Sequence, residues 1–289
     1  MPFPLPASRL LPALLLGACL LTACGGEDSA ALVTEARAKL AAGDYKAAMI
    51  QLKNAVAKDE KNAEARLELG KLYFAQLDLA SAEKEFRRAR EAGFSADKVN
   101  PMIARSLLGQ REFQRVLDEL PVPTDGGPEA ATLQALRATA ELGLEHRENA
   151  RKILQHAQQI APANAEVQLA LAKLALADGD SAKAMQNLDL ALHVDPKHLD
   201  SLLLKGDLLR STGKSAEATA IYREALQVAP RDTNARLALA GLALTENRLD
   251  DARKEVDAAL KVTPNSLLAR YTQALIDFRE KKTERARDH

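Results

Sequence analysis

Tryptophan is absent from the sequence, and aromatic residues make up only 3 % of its 289 residues. Cysteine is scarce too, because its two copies, Cys19 and Cys24, both lie near the N-terminus. The rest of the chain therefore lacks the thiols that a disulfide or a thiolate metal site needs. Alanine and leucine are abundant instead. Since both lose little conformational freedom in a helix, the composition favours helices over long strands.

The sequence has no net charge, since 40 Lys and Arg residues balance 40 Asp and Glu residues. Without a basic field, we expect no nucleic-acid partner. Catalytic motifs are missing as well: there is no Gly-rich phosphate loop, no Gly-x-Ser-x-Gly elbow and no His-Glu-x-x-His pair. We therefore predict a protein that is not an enzyme and has no catalytic residue, no metal site and no small-molecule cofactor.

The N-terminus reads as an export signal. A single cation, Arg9, precedes an apolar run from Leu10 to Leu21, which is shorter than the roughly 20 residues that span a bilayer. Such a run suits a cleavable secretory signal. Its end, Leu-Thr-Ala-Cys at residues 21–24, resembles a bacterial lipobox, the signal for acylation of Cys24. A second match ends at Cys19, and an ordinary secretory signal with an incidental cysteine is the alternative.

The lipobox resemblance implies a signal peptide at residues 1–23, lipidation at Cys24 and a flexible tether at residues 24–28. Each buried methylene of an acyl chain contributes roughly 0.8 kcal/mol, so the chain would be held at a membrane through its lipid anchor. Gly25 stands where bacteria with two membranes often place Asp to retain a lipoprotein in the inner membrane. The resemblance thus predicts an outer-membrane lipoprotein of the Gram-negative envelope that faces the periplasm.

From Ser29 onward the sequence repeats every 34 residues without an insertion. Position 8 of each copy is small, as expected where two helices approach closely: Ala36, Gly70, Ala104, Ala138, Ala172, Gly206, Ala240 and Ala274. Positions 20 and 27 are Ala in every copy except the third: Ala48, Ala82, Ala150, Ala184, Ala218 and Ala252, then Ala55, Ala89, Ala157, Ala191, Ala225 and Ala259. Each copy is long enough for one pair of antiparallel helices.

Position 24 is large and position 32 is often proline. The large residues are Leu52, Phe86, Leu120, Leu154, Leu188, Tyr222 and Val256, and the prolines are Pro128, Pro162, Pro196, Pro230 and Pro264. Proline here ends the second helix, because it lacks a backbone donor. The whole pattern resembles that of tetratricopeptide repeats (TPR). This resemblance implies an all-α solenoid, a right-handed superhelix of antiparallel helix pairs with a concave groove.

The regularity fails in two places. Residues 121–130 hold three prolines and two glycines, so the second helix of the third copy must stop near Leu120. We predict that this break separates repeats 29–120 from repeats 131–280, either as a hinge or as a shortened helix that packs locally. The eighth copy has only a first helix, which would cap the array. A charged tail, residues 281–289, follows, and it could equally mark a truncated product.

In TPR proteins, positions 2, 5, 9 and 12 of the first helix commonly face the groove. Position 9 holds several cations and position 12 is mostly apolar, which gives six candidate contacts: Arg37, Lys71, Phe74, Arg105, Lys173 and Arg210. A cationic row beside an apolar row suits an acidic, partly apolar peptide or an anionic glycan. The alternative is that these cations are the solvated ends of amphipathic helices.

The stretch from Gly43 to Leu120, directly after a lipobox, resembles the start of the PrsT family of TPR lipoproteins. That resemblance implies a scaffold in the exosortase/PEP-CTERM system, with polysaccharide-export or exosortase-system components as partners. Members of that family are usually far longer, which would make this chain a shortened relative or a fragment. Two alternatives stay open: a pilotin-like lipoprotein that aids secretin assembly for a type IV pilus or secretion system, and a fragment of an envelope glycan-processing enzyme.

Overall fold

The computed structural model describes residues 28–122 and 126–287, with side chains described up to Lys281. The signal peptide and Cys24 lie outside the described residues. Within them the chain forms fifteen helices and no strand: α1 Ser29–Ala41, α2 Tyr45–Lys58, α3 Ala63–Ala75, α4 Leu79–Glu91, α5 Ala96–Gly109, α6 Phe113–Glu119, α7 Pro128–Gly143, α8 Arg147–Ile160, α9 Ala165–Ala177, α10 Ser181–Val194, α11 Leu199–Ser211, α12 Ser215–Val228, α13 Thr233–Thr245, α14 Leu249–Val262 and α15 Leu267–Arg287.

The helices follow the 34-residue period. Each odd-numbered helix up to α13 packs on the helix after it, and all of these except α3 also pack on the next odd-numbered helix, so the all-α solenoid predicted from the repeat is confirmed. Side chains at the helix starts fix the register: the Asp44 carboxylate accepts the Ala47 amide at 3.0 Å, and the Asn164 side chain accepts the Val167 amide at 3.1 Å. None of the described helices has the length and hydropathy that spanning a bilayer requires.

The turn between the two helices of a repeat has the same backbone geometry in every complete copy. Position 15 of all seven complete copies has a positive φ, between 57° and 82°. Glycine occupies it in three copies, and the other four hold larger residues: Leu77, Arg111, Glu145 and Asn247. Because a side chain makes this left-handed conformation costly, these four turns carry local backbone strain.

The core consists of the small and large positions of the repeat. All six Ala residues at position 20 and all six at position 27 are fully buried, as are Leu52, Leu120, Leu154, Leu188 and Val256 at position 24. Two copies pair a glycine with an aromatic ring. A Cβ on Gly70 would lie 2.6 Å from the ring of Phe86, and a Cβ on Gly206 would lie 2.5 Å from the ring of Tyr222. The aromatic rings therefore fit only because position 8 has no side chain.

The third copy has a shortened second helix. Helix α6 ends at Glu119, and the next helix, α7, begins at Pro128. The 34-residue period would place the start of α7 at residue 131, three residues later. Arg137 of α7 caps the short helix, because its guanidinium donates to the carbonyls of Leu117 at 2.8 Å and Leu120 at 2.9 Å. One buried cluster runs from Val116 and Leu120 to α7. These contacts favour a shortened helix packed locally over a hinge.

The terminal helix differs from the sequence-based expectation. We expected a helix to about Arg279 and then a charged tail over residues 281–289, but α15 continues to Arg287. Among the described residues, α15 packs only on α13 and α14, and Ala274 at position 8 is exposed, whereas the equivalent residues of the first seven copies are buried.

Candidate functional site

The first helices of the repeats line a continuous groove, which we divide into two clefts. The central cleft has a volume of about 410 Å³ and is lined by residues of α3, α5, α6, α7, α9 and α11. The C-terminal cleft has a volume of about 590 Å³ and is lined by residues of α11, α12, α13 and α15. Leu203 and Asp207 belong to both clefts and join them. The groove thus runs along at least the second to the eighth repeat.

All six groove residues named from the sequence belong to first helices, and four of them line these clefts. Phe74, Arg105 and Lys173 line the central cleft, whereas Arg210 lines the C-terminal cleft. Phe74 and Arg105 also line a smaller neighbouring pocket of about 180 Å³, together with Lys71. Arg37 lies at the N-terminal end of the array, in none of these three pockets.

The cations at the N-terminal end are paired with carboxylates of the same chain. Arg37 lies 3.3 Å from Glu64 and 3.6 Å from Glu68, and Lys71 lies 3.1 Å from Glu68. Such exposed pairs contribute little stability, but they reduce the positive potential that these cations offer to a ligand. The acidic row at the groove surface was missed in the sequence, although Glu64 has counterparts at position 2 in Glu166 and Asp200.

Arg105 makes a longer connection. Its guanidinium reaches from α5 across the fourth repeat to the buried carboxylate of Glu166 on α9, at 2.5 Å. His198 Nε2 lies 3.6 Å from the same carboxylate, and its Nδ1 is 2.8 Å from the hydroxyl of Ser201. We call this set of Arg105, Glu166 and His198 the central brace. It ties together repeats on both sides of the break after α6.

The central brace sets the ionisation of Glu166. Burial by itself would raise the pKa of this carboxyl, but the neighbouring imidazole of His198 and the positive charge of Arg105 outweigh it and lower the pKa to about 2. Glu166 is therefore negatively charged at any neutral pH. Arg105 is held by this charge, so it is not available to an anionic ligand unless the brace opens.

Lys173 differs from the other groove cations. Among the described residues it has no carboxylate within ion-pair distance, although its charge helps to lower the pKa of Glu166. Asp200 and Asp207 line the same central cleft. The centre of the groove thus presents charges of both signs, and the cationic row predicted from the sequence is one half of that arrangement.

Charge is also matched at Arg210. Its guanidinium lies 3.2 Å from Asp207, and the same carboxylate accepts the hydroxyl of Tyr222 at 2.7 Å. Burial and the hydrogen bond to Asp207 together raise the pKa of Tyr222 to about 12, so the phenol stays protonated. No group of three or more His, Cys, Asp and Glu side chains that could hold a metal occurs in the described part of the chain.

Comparisons with known proteins agree with this geometry. One family profile described as tetratricopeptide repeat matches residues 39–101 and 209–276, and a second matches residues 169–235. Together these matches span more than half of the chain. The chain belongs to the tetratricopeptide repeat family. TPR proteins generally mediate protein–protein interactions and are generally not catalytic.

Three solved structures illustrate the likeness. A TPR protein from Parabacteroides merdae is 17 % identical, with a TM-score of 0.51 over 87 % of this chain and 99 % of that one. One chain of the APC/C hetero-tetramer Cut9–Hcn1 is 14 % identical, with a TM-score of 0.52 over 84 % of this chain and 52 % of that one. PilF of Pseudomonas aeruginosa is 18 % identical, with a TM-score of 0.40 over 85 % and 96 %. At these identities the likeness to the first two structures concerns the fold alone. No curated protein matches the sequence.

Proposed function

We propose that this TPR protein is a lipid-anchored, non-catalytic scaffold of the Gram-negative envelope, which holds a partner protein in its groove. One observation carries the scaffold part: the first helices line one continuous groove that includes clefts of about 410 and 590 Å³. A groove of this length offers many contacts to a polypeptide, as a binding surface requires.

The envelope location rests on the sequence. The apolar run before Cys24 and the polar residues after it support export and anchoring at the periplasmic face of the outer membrane. The resemblance of residues 43–120 to the PrsT family supports polysaccharide-export or exosortase-system proteins as partners, and hence a role in exopolysaccharide assembly or surface protein sorting. Export and anchoring would place the groove in the same compartment as such partners.

Site-specific photocrosslinking in cells tests this proposal. A benzoylphenylalanine is placed at Thr139, which lines the central cleft, or at Leu190, which is 51 % exposed on α10 and lines neither cleft. Export and lipidation are checked in parallel with Cys24→Ser, which should release the protein from the membrane fraction. We expect crosslinks to polysaccharide-export or exosortase-system proteins from Thr139 only.

The outcomes separate the alternatives. Crosslinks from Thr139 to a secretin would replace the proposed role with that of a pilotin. Equal crosslinking from Thr139 and Leu190 would refute the groove as the binding site. A Cys24→Ser protein that stays in the membrane fraction would refute the lipid anchor and leave the scaffold in place.

A further inference from the structure

The C-terminal cleft differs in chemistry from the rest of the groove. At position 9 the cations of the second, third and fifth repeats give way to Asp207, Gly241 and Leu275. At position 2 the acids of the fifth and sixth repeats give way to Asn234 and Leu268. Charge therefore disappears from these two groove positions in the seventh and eighth repeats.

Apolar side chains take the place of those charges, and they are unusually exposed. Leu268 is 60 % exposed and Tyr271 is 68 % exposed, although both line the C-terminal cleft. The large apolar residues that are more than 55 % exposed among the described residues all lie on α15. Exposed apolar side chains gathered at a concave site are typical of a binding surface, whereas single ones are ordinary.

Gly241 gives this cleft its depth. A Cβ placed on Gly241 would have no atom within 4 Å, so the space in front of α13 is open. By contrast, the glycines at position 8 are filled by the rings of Phe86 and Tyr222. Glycine is the poorest helix former after proline, and its presence inside α13 has no packing reason in this structure.

The charges at the edge of the cleft are already satisfied. Asp207 accepts from Arg210 and from the hydroxyl of Tyr222. Arg279, the third charged residue of the lining, donates to the carbonyl of Leu244 at 2.5 Å, so all three charges are held by partners within the chain. Burying a ligand charge here would cost desolvation without a compensating partner. The exposed amide of Asn234 can both donate to and accept from a peptide backbone.

We infer that the C-terminal cleft binds an uncharged polypeptide segment of a partner protein, with a large apolar or aromatic side chain anchored in front of Gly241. This inference deepens the proposed scaffold function and rests on it. It differs from the acidic peptide or anionic glycan expected from the cationic row, because the cations of that row are mostly paired within the chain. The anchor contributes affinity through burial against Leu268 and Tyr271.

The experiment uses random peptides displayed on phage, selected against the purified protein. A fluorescein-labelled copy of the most enriched peptide is then measured by fluorescence anisotropy. We expect enriched peptides that lack charge and share an aromatic residue. Gly241→Leu should weaken binding by about thirtyfold, the loss typical of one anchoring contact. The matched control is Ala182→Leu, an exposed position on α10 outside both clefts, which should leave binding unchanged.

Folding does not obscure this test. Leucine is a far better helix former than glycine, and a Cβ at position 241 has no atom within 4 Å, so Gly241→Leu should unfold at the same or a higher temperature. Enriched acidic peptides whose binding is lost with Lys173→Ala but kept with Gly241→Leu would overturn the inference and leave the scaffold function standing. Failure to enrich any peptide would also overturn it, and the crosslinks from Thr139 would then judge the scaffold separately. A protein dimer that Gly241→Leu dissociates would overturn it in favour of a second copy as the occupant.

Discussion

Replacing Arg111 with glycine should stabilise the protein, because Arg111 holds a conformation that suits glycine. Its φ is 63°, and its side chain is exposed at the turn between α5 and α6. The left-handed conformation costs a residue with a side chain about 1–2 kcal/mol. Glycine removes this cost, but it adds about 0.5–1 kcal/mol of conformational entropy to the unfolded chain. The expected net gain in the free energy of unfolding is about 0.5–1 kcal/mol.

Three matched variants separate the backbone effect from other effects. Arg111→Ala removes the same side chain but keeps a Cβ, so it should change stability very little. Gly179→Ala, at the same turn position with a φ of 82°, should destabilise by about 1 kcal/mol. Ala220→Gly, at an exposed position in the middle of α12, should cost about 0.5–1 kcal/mol.

Urea denaturation followed by circular dichroism measures these differences, with one fitted slope for all variants. If Arg111→Gly destabilised the protein as much as Ala220→Gly does, the turn would not have the left-handed geometry described here. If Arg111→Ala gave the same gain as Arg111→Gly, the gain would come from the side chain and the argument about backbone strain would fail.

Three further predictions concern the core, the central brace and the break. Ala184→Leu should overpack the contact between α9 and α10 and lower the free energy of unfolding, measured by urea denaturation, by about 1–3 kcal/mol. Ala182→Leu, at an exposed position, should not lower it. Equal stability of the two variants would refute the repeat register. Glu166→Gln should lower the free energy of unfolding by up to about 3 kcal/mol at pH 7, because the pKa of about 2 means that ionised Glu166 stabilises the fold above pH 4.5. This difference between variant and parent should shrink as the pH falls from about 4.5 towards 2. A difference that stays constant from pH 7 to pH 3 would contradict the low pKa. Arg137→Met keeps the apolar stem but leaves the carbonyls of Leu117 and Leu120 without their donor, so we expect a loss of about 1–3 kcal/mol in the free energy of unfolding. Relative to the parent protein, amide hydrogen exchange in the variant should become faster in α6 but not in α10. Equal exchange rates of α6 in variant and parent would show that the cap is not needed.

The fold could be predicted from the sequence because each copy of the repeat has the same helix contacts at the same positions. An Ala at position 20, such as Ala82, marks a helix contact in every complete copy except the third, and the same spacing places the next contact 34 residues later. Six of the eight first helices start at the frame predicted from the sequence, the exceptions being α5 and α7 on either side of the break. Periodicity averages over copies, so an irregular residue in one copy does not spoil the assignment.

The groove was less predictable, because its properties depend on contacts between different repeats. Position 9 identifies Arg105 as a groove residue, but nothing local to α5 shows that Glu166, two repeats away, neutralises it. The opening in front of Gly241 is equally hidden, since glycine at a groove position can reflect either close packing or empty space. Charge pairing and depth are tertiary properties, and the repeat pattern does not encode them.

The central brace also limits how this array can be lengthened or shortened. In an array where each repeat contacts only its neighbours, units can be added or removed with a roughly constant energetic effect. Arg105 and Glu166 instead interact over an intervening repeat, at a separation fixed by the rise and rotation of that one unit. Duplicating or deleting the fourth repeat would change this separation, and the buried carboxylate would then lose its cation. Repeats can thus be added or removed near the ends of the array, but not between α5 and α9 without breaking the central brace.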